Sequence, residues 1–207
     1  MKKKIVVVCV VLCALLISAC SSAPKVSRVD ATTQTDLSGR WNDTDVRIVC
    51  DALINSAVNS PRIDAFIKEY SGKNRGALPT VIIGSFRNVS SEHIDTRIIS
   101  NLMRTAIINS GKLEFVAGGN ERDAIRAERE DQQSNASDRT AASLGQEIGA
   151  NFMLSGEVNS MEEKVGNITQ RVYFVKATMT NIESSRIIWE DENSEIKKIV
   201  KQPKAKL

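Results

Sequence analysis

The chain has 207 residues, of which 42% are hydrophobic and 4% aromatic, and it carries 28 Lys+Arg against 25 Asp+Glu. This length suits one domain with a tether. One histidine and four cysteines, none of them clustered, argue against a Cys/His metal centre, so we expect no metal and no bound cofactor.

The N-terminus has the pattern of an export signal. Lys2–Lys4 precede an apolar run from Ile5 to Ala19, and Cys20 follows two small residues directly. This resembles the signal of bacterial lipoproteins, in which residues 1–19 are removed and the cysteine is acylated. A transmembrane helix would need about 20 apolar residues, whereas this run is shorter. We predict lipid on Cys20 as the membrane anchor and, because Ser21 follows it, an outer-membrane location facing the periplasm.

Cleavage would also change the charge balance. The signal contains three lysines and no acidic residue, so 28 minus three leaves 25 basic residues against 25 acidic ones. A neutral balance without a dense basic run lacks the electrostatic signature of nucleic-acid binding, and we predict none. Cys50 would remain as the only free thiol, without a disulfide partner. Its place on an apolar helical face indicates a buried, inert side chain.

The cleaved chain divides by composition into three parts. Residues 20–40 are predicted to form the lipidated cysteine and a flexible tether, because this segment has few large apolar side chains. Residues 41–200 are predicted to form the globular domain, and residues 201–207 a basic tail. The basic side chains near the C-terminus are predicted to be solvated: Lys197, Lys198, Lys201, Lys204 and Lys206.

The folded part begins with helices. Capping side chains at 42–44 precede a helix with a buried face of Val46, Val49, Cys50, Leu53, Ile54 and Ala57. Ser60 before Pro61 opens a second helix, and the β-branched run 80–86 predicts a strand. A third helix is predicted over 95–110, ending at Gly111, with these residues inward: Ile98, Ile99, Leu102, Ala106 and Ile107.

The remaining elements complete the fold prediction. A strand at 113–117 precedes a charge-dense helix that ends near Gln132 and a further helix at 138–148. The last third changes to strand-like runs at 152–161, 168–180 and 186–196. This order predicts an α/β fold of the α+β, mixed-sheet type. Helices pack on a mixed sheet that includes a C-terminal antiparallel meander.

The chain lacks motifs for catalysis. We find no nucleophile elbow, no P-loop and no dinucleotide fingerprint. The S-x-x-K spacing at Ser22 and Ser194 has none of the companion motifs that penicillin-recognising enzymes require. His93 lies in a polar loop, where a surface histidine is the simplest interpretation. We therefore predict that the chain is not an enzyme.

Five segments, in order, resemble the LpoB-like penicillin-binding protein activator lipoprotein family. They are 37–45 (LSGRWNDTD), 78–98 (LPTVIIGSFRNVSSEHIDTRI), 109–116 (NSGKLEFV), 149–160 (GANFMLSGEVNS) and 187–198 (IIWEDENSEIKK). The resemblance implies a domain like the N-terminal domain of TolB. It also implies a protein that binds a bifunctional class A penicillin-binding protein across the peptidoglycan layer and activates it allosterically. Enterobacterial members use a longer, proline-rich tether, whereas this tether contains Pro24 alone.

We predict the partner contacts in one polar loop and the helix start after it, because loops on a rigid scaffold commonly carry binding. The candidate residues are Arg87, Asn88, Ser90, Glu92, His93 and Asp95. A merely solvated connection is the alternative for this loop. We expect the protein to be a monomer.

Two other functions remain open at this point. A CsgG-like structural or secretion lipoprotein would share the α/β core, but it would need a long amphipathic hairpin that joins a membrane barrel. An envelope enzyme would need a catalytic partner near His93 or Cys50, and the sequence offers none.

Overall fold

The computed structural model describes residues 26–30, 33–135 and 149–203. The chain divides into two compact units, Met1–Thr33 and Gln34–Leu207. All the regular secondary structure that is described lies in the second unit. The predicted helix at 138–148 and the predicted signal fall outside the described residues.

Within the described residues, four helices begin and end largely where their capping residues require. They are α1 (Asp43–Val58), α2 (Pro61–Lys73), α3 (Thr96–Ser110) and α4 (Gly119–Asn135). Asn42 forms a capping box at the start of α1, and Ser60 with Pro61 starts α2 as predicted. Gly111 ends α3 in the left-handed conformation, with φ 67°.

Six strands form one mixed sheet in the order β2-β1-β3-β4-β5, with β6 also paired to β4. The strands are β1 (Thr80–Asn88), β2 (Glu114–Phe115), β3 (Phe152–Val165), β4 (Ile168–Asn181), β5 (Ile187–Asn193) and β6 (Lys197–Lys201). β1 runs parallel to β2 and β3, whereas β3, β4 and β5 form an antiparallel meander. The predicted class, a mixed α/β fold with a C-terminal meander, is confirmed.

The core lies between one face of this sheet and the helices α1, α2 and α3. Alternate residues of β3 and β4 face it, because side chains in a strand alternate between the two faces. Phe66 of α2 meets Phe152 edge to face, with ring centroids 4.6 Å apart. Trp189 of β5 donates a hydrogen bond to Ser56 of α1 over 3.1 Å.

Two predicted details of the fold are wrong. Met103, not Leu102, is the buried residue in the middle of α3, and Ile98 is 50% exposed. The third predicted strand, 186–196, is broken after Asn193, and the chain continues as β6 into the expected tail. No helix within the described ranges is long and apolar enough to cross a bilayer.

Candidate functional site

The predicted contact residues lie where β1 ends and α3 begins. The stretch 87–95 is called here the loop 87–95, and it includes the last two residues of β1 and the N-cap of α3. Asn88 shapes this loop from within: its Oδ1 accepts from the Ser90 N–H and hydroxyl at 3.0 and 2.6 Å, and its Nδ2 donates to the Glu92 carbonyl at 2.6 Å. These bonds resemble those of an Asx turn, in which a short polar side chain replaces a backbone partner. Asn88 and Ser90 therefore maintain the loop conformation.

Arg87, His93 and Asp95 present polar groups on the surface of this loop. Arg87 pairs with Glu157 of β3 over 2.9 Å, and His93 is exposed. Asp95 caps α3, and its hydrogen bonds from the Arg97 side chain and N–H lower the pKa of the carboxyl to about 2.

Val89 and Ile98 add exposed apolar area to this surface, because their side chains are 48% and 50% exposed. This contact surface, made of Arg87, Val89, His93, Asp95, Arg97 and Ile98, has the mixed character of a protein-binding surface.

Glu92 differs from the other candidates, because its side chain is 9% exposed and points into the domain. Its carboxylate accepts hydrogen bonds from the Trp41 N–H at 3.0 Å and from the Tyr173 hydroxyl at 2.8 Å. Arg171 lies 3.4 Å away and pairs more closely with Glu162, at 2.6 Å. The carboxylate is thus used inside the domain, and contact of Glu92 with a partner stays a prediction.

A second cluster of charges, around Lys198, lies beside the cluster of Glu92, Arg171 and Glu162. Lys198 of β6 has a side chain only 11% exposed, and its ammonium donates to Asp45 at 2.7 Å, to Asp36 at 2.7 Å and to the Arg40 carbonyl at 2.9 Å. The prediction that Lys198 is solvated is therefore wrong. An ammonium has three donors, and all three are satisfied here.

Neither Arg171 nor Lys198 is among the residues predicted to form the site, although the sequence contains a signal for Arg171. Arg171 continues the alternation of the buried β4 residues Tyr173, Val175, Ala177 and Met179, which placed a charge in phase with the core. Such a charge requires a partner. The sequence contains no such signal for Lys198, because the last predicted strand ends at residue 196.

Cys20 lies outside the described residues, so its lipidation stays a prediction. Cys50 is 2% exposed, and burial raises the pKa of its thiol to about 12, with a smaller contribution from Asp51. This confirms the expectation that the thiol is buried, and its inertness stays a prediction. Within the ranges that the structure describes, no group of three or more metal-binding side chains comes together.

Similar domains occur among solved structures. The C-terminal domain of LpoB from Salmonella enterica is 14% identical, with a TM-score of 0.40, covering 76% of this chain and 99% of that one. LpoB of Escherichia coli, solved by NMR, is 14% identical with a TM-score of 0.39, covering 88% and 87%. The lipoprotein GNA1162 from Neisseria meningitidis is 15% identical with a TM-score of 0.35, covering 58% and 83%. No curated protein matches the chain.

A family model assigns the chain more directly. The model described as the peptidoglycan-synthase activator LpoB matches residues 45–195, which is well over half of the chain. The match includes the loop 87–95 and ends before β6. The chain therefore belongs to the LpoB family of peptidoglycan-synthase activators.

Proposed function

We propose that the protein binds and allosterically activates a bifunctional class A penicillin-binding protein, from a lipid anchor at Cys20 in the outer membrane. The family match over residues 45–195 carries this proposal. The lipoprotein signal at residues 1–20 supports the anchor and the periplasmic orientation. An activator of this kind needs no chemistry of its own, because it acts by binding the active state of the synthase more tightly than the inactive state.

The contact surface is the proposed docking site for the synthase. It combines the charged groups of Arg87, Asp95 and Arg97 and the imidazole of His93 with the exposed apolar side chains of Val89 and Ile98. Its loop is fixed by internal hydrogen bonds, so little conformational entropy is lost when a partner binds. This favours a preformed site.

The test is capture of class A penicillin-binding proteins by the mature chain, followed by measurement of glycan-strand synthesis. Ile98→Asp lies in the first turn of α3, where a negative charge is compatible with the helix dipole, so the fold should tolerate it. We expect at least about tenfold weaker binding and a matching loss of stimulation. Ile182→Asp is the control, because Ile182 is similarly exposed, at 45%, and lies in the turn after β4.

Failure of the unmodified protein to bind or stimulate any class A synthase would overturn the proposal. Equal binding by the Ile98→Asp and Ile182→Asp variants would move the docking site elsewhere. The anchor is tested separately: Cys20→Ser should release the protein from outer-membrane fractions, and retention there would contradict the lipid anchor.

A further inference from the structure

Residues 36–41, which precede the N-cap of α1, lie against the sheet and are called here the docked segment. The segment crosses one row of the sheet, in which Glu162, Arg171 and Lys198 are direct neighbours on β3, β4 and β6. Two adjacent cations on a sheet repel each other unless acids flank them. Here each cation lies between two carboxylates: Arg171 between Glu92 and Glu162, and Lys198 between Asp36 and Asp45.

Main-chain groups of the docked segment complete this arrangement. Arg171 donates to the Gly39 carbonyl over 3.2 Å, and Lys198 donates to the Arg40 carbonyl over 2.9 Å. Trp41 packs on Tyr173, with ring centroids 5.2 Å apart. The segment thus has three kinds of contact with the domain, although most of its side chains are exposed.

Gly39 is a steric requirement for this docking. A β-carbon at position 39 would collide with the Cγ2 of Val200 on β6. Any larger residue must therefore lift the segment or displace Val200. The close approach provides a way to disturb docking without removing a charge.

Glu92 belongs to the docked segment's contacts and to the loop at the same time. Its carboxylate accepts from the Trp41 N–H, while its main-chain carbonyl accepts from the Asn88 side chain that shapes the loop. Its own N–H donates to the Ser90 hydroxyl over 3.2 Å. A displacement of Trp41 therefore removes one of the bonds that fix the residue at the centre of the loop.

We propose that docking of residues 36–41 and partner binding at the loop 87–95 stabilise each other, with Glu92 as the positioning residue that connects them. The part of this inference that concerns partner binding rests on the proposed function. Because coupling between two sites is reciprocal, undocking the segment lowers affinity at the loop, and an occupied loop holds the segment in place by the same factor.

Hydrogen exchange on the full-length protein without any partner tests the connection itself. In Gly39→Ala, we expect amide exchange to rise about tenfold at residues 40–42 and also at 89–93, while core amides of β3 stay unchanged. Adding Val200→Ala restores room for the new β-carbon and should restore slow exchange at both sites. Gly72→Ala is the control, because a β-carbon there meets open space.

Faster exchange at 40–42 with no change at 89–93 would overturn the inference, and so would a double variant that fails to recover. Binding to the synthase gives the second readout: Gly39→Ala should weaken affinity about tenfold, and the double variant should regain it. If the unmodified protein binds no synthase, the proposed function fails. The exchange result then still decides whether the segment and the loop are coupled.

Discussion

At the scale of single residues, the hydroxyl of Tyr173 donates its hydrogen bond to Glu92 at the edge of the core. The ring is fully buried, and burial, followed by the hydrogen bond to Glu92, raises the pKa of the phenol, so it remains a neutral donor. A buried carboxylate needs such donors, because each one replaces a water molecule that was lost on folding. Tyr173 therefore supports Glu92 as much as it fills the core.

Removal of that hydroxyl should lower the stability of the fold. We expect Tyr173→Phe to reduce the free energy of unfolding by about 2 kcal/mol, because a hydrogen bond to a charged group contributes about 1.5–3 kcal/mol. Urea titration followed by circular dichroism measures the change. Tyr70→Phe on α2 is the matched control and should change stability by less than about 0.5 kcal/mol. Equal effects of the two variants would contradict the role given to Tyr173.

Asp95 gives a pH dependence whose sign is fixed by its partner. Hydrogen bonds from Arg97 bring the pKa of this carboxyl from 3.8 to about 2 in the folded state. The charged form thus stabilises the fold above about pH 4, and this contribution is lost as the pH falls toward 2. In Asp95→Asn, which keeps a good N-cap, the unfolding free energy should vary less steeply over that range. Arg97→Gln should flatten it similarly, and an unchanged slope in both would contradict the assignment.

At the scale of elements, β6 was not predicted as a strand from the sequence, yet it pairs with β4 in the sheet. Lys198 on its inner side binds two carboxylates, whereas Lys197 on its outer side is exposed. Removing one partner from a buried ion pair leaves the other charge without compensation. Loss of Lys198 should therefore destabilise the fold more than loss of Lys197, although the two lysines are neighbours in the sequence.

This contrast is directly testable. Lys198→Gln should lower the free energy of unfolding by about 3 kcal/mol, because Asp45, whose side chain is only 4% exposed, would lose its cation. Lys197→Gln, one residue away, should change it by less than about 0.5 kcal/mol. Chemical denaturation of both variants measures the difference, and similar values would show that the Lys198 cluster adds little to stability.

The elements also show what could be predicted from sequence. Caps and stops gave accurate helix ends, because Asn42, Ser60 and Gly111 act locally. The inward face of α3 was misread, because Ile98 and Leu102 are apolar while the buried face includes the polar Thr96 and Ser100. Periodicity alone does not show which of two apolar stripes meets the sheet.

The position of the loop in the fold could be predicted from the sequence, but its internal hydrogen bonds could not. The loop 87–95 could be located from its polarity between a strand and a helix. Its connection to Trp41 and Tyr173 joins residues 51 and 81 positions apart from Glu92, and no local pattern records such distant contacts. The inward orientation of Glu92 therefore had to come from the tertiary structure.

At the scale of the whole molecule, the two tryptophans report on different parts. Trp41 belongs to the docked segment and packs on Tyr173, whereas Trp189 of β5 is buried against α1. Few buried apolar groups hold the segment, so it should detach before the core unfolds. With Trp189→Phe, the remaining fluorescence should change at a lower urea concentration than with Trp41→Phe. Coincident transitions would show that segment and core unfold together.

Docking of residues 36–41 also limits how far the chain before the domain can reach. If the proposed anchor at Cys20 holds the chain, only the residues up to 35 are left to bridge the gap to the domain, and fifteen extended residues cover at most about 50 Å. Release of the six docked residues would add about 20 Å to that span. The same contacts that order the loop would then determine the maximum distance between membrane and synthase. If the distance between membrane and synthase exceeded this limit, residues 36–41 would have to undock, and the binding loop would become less ordered.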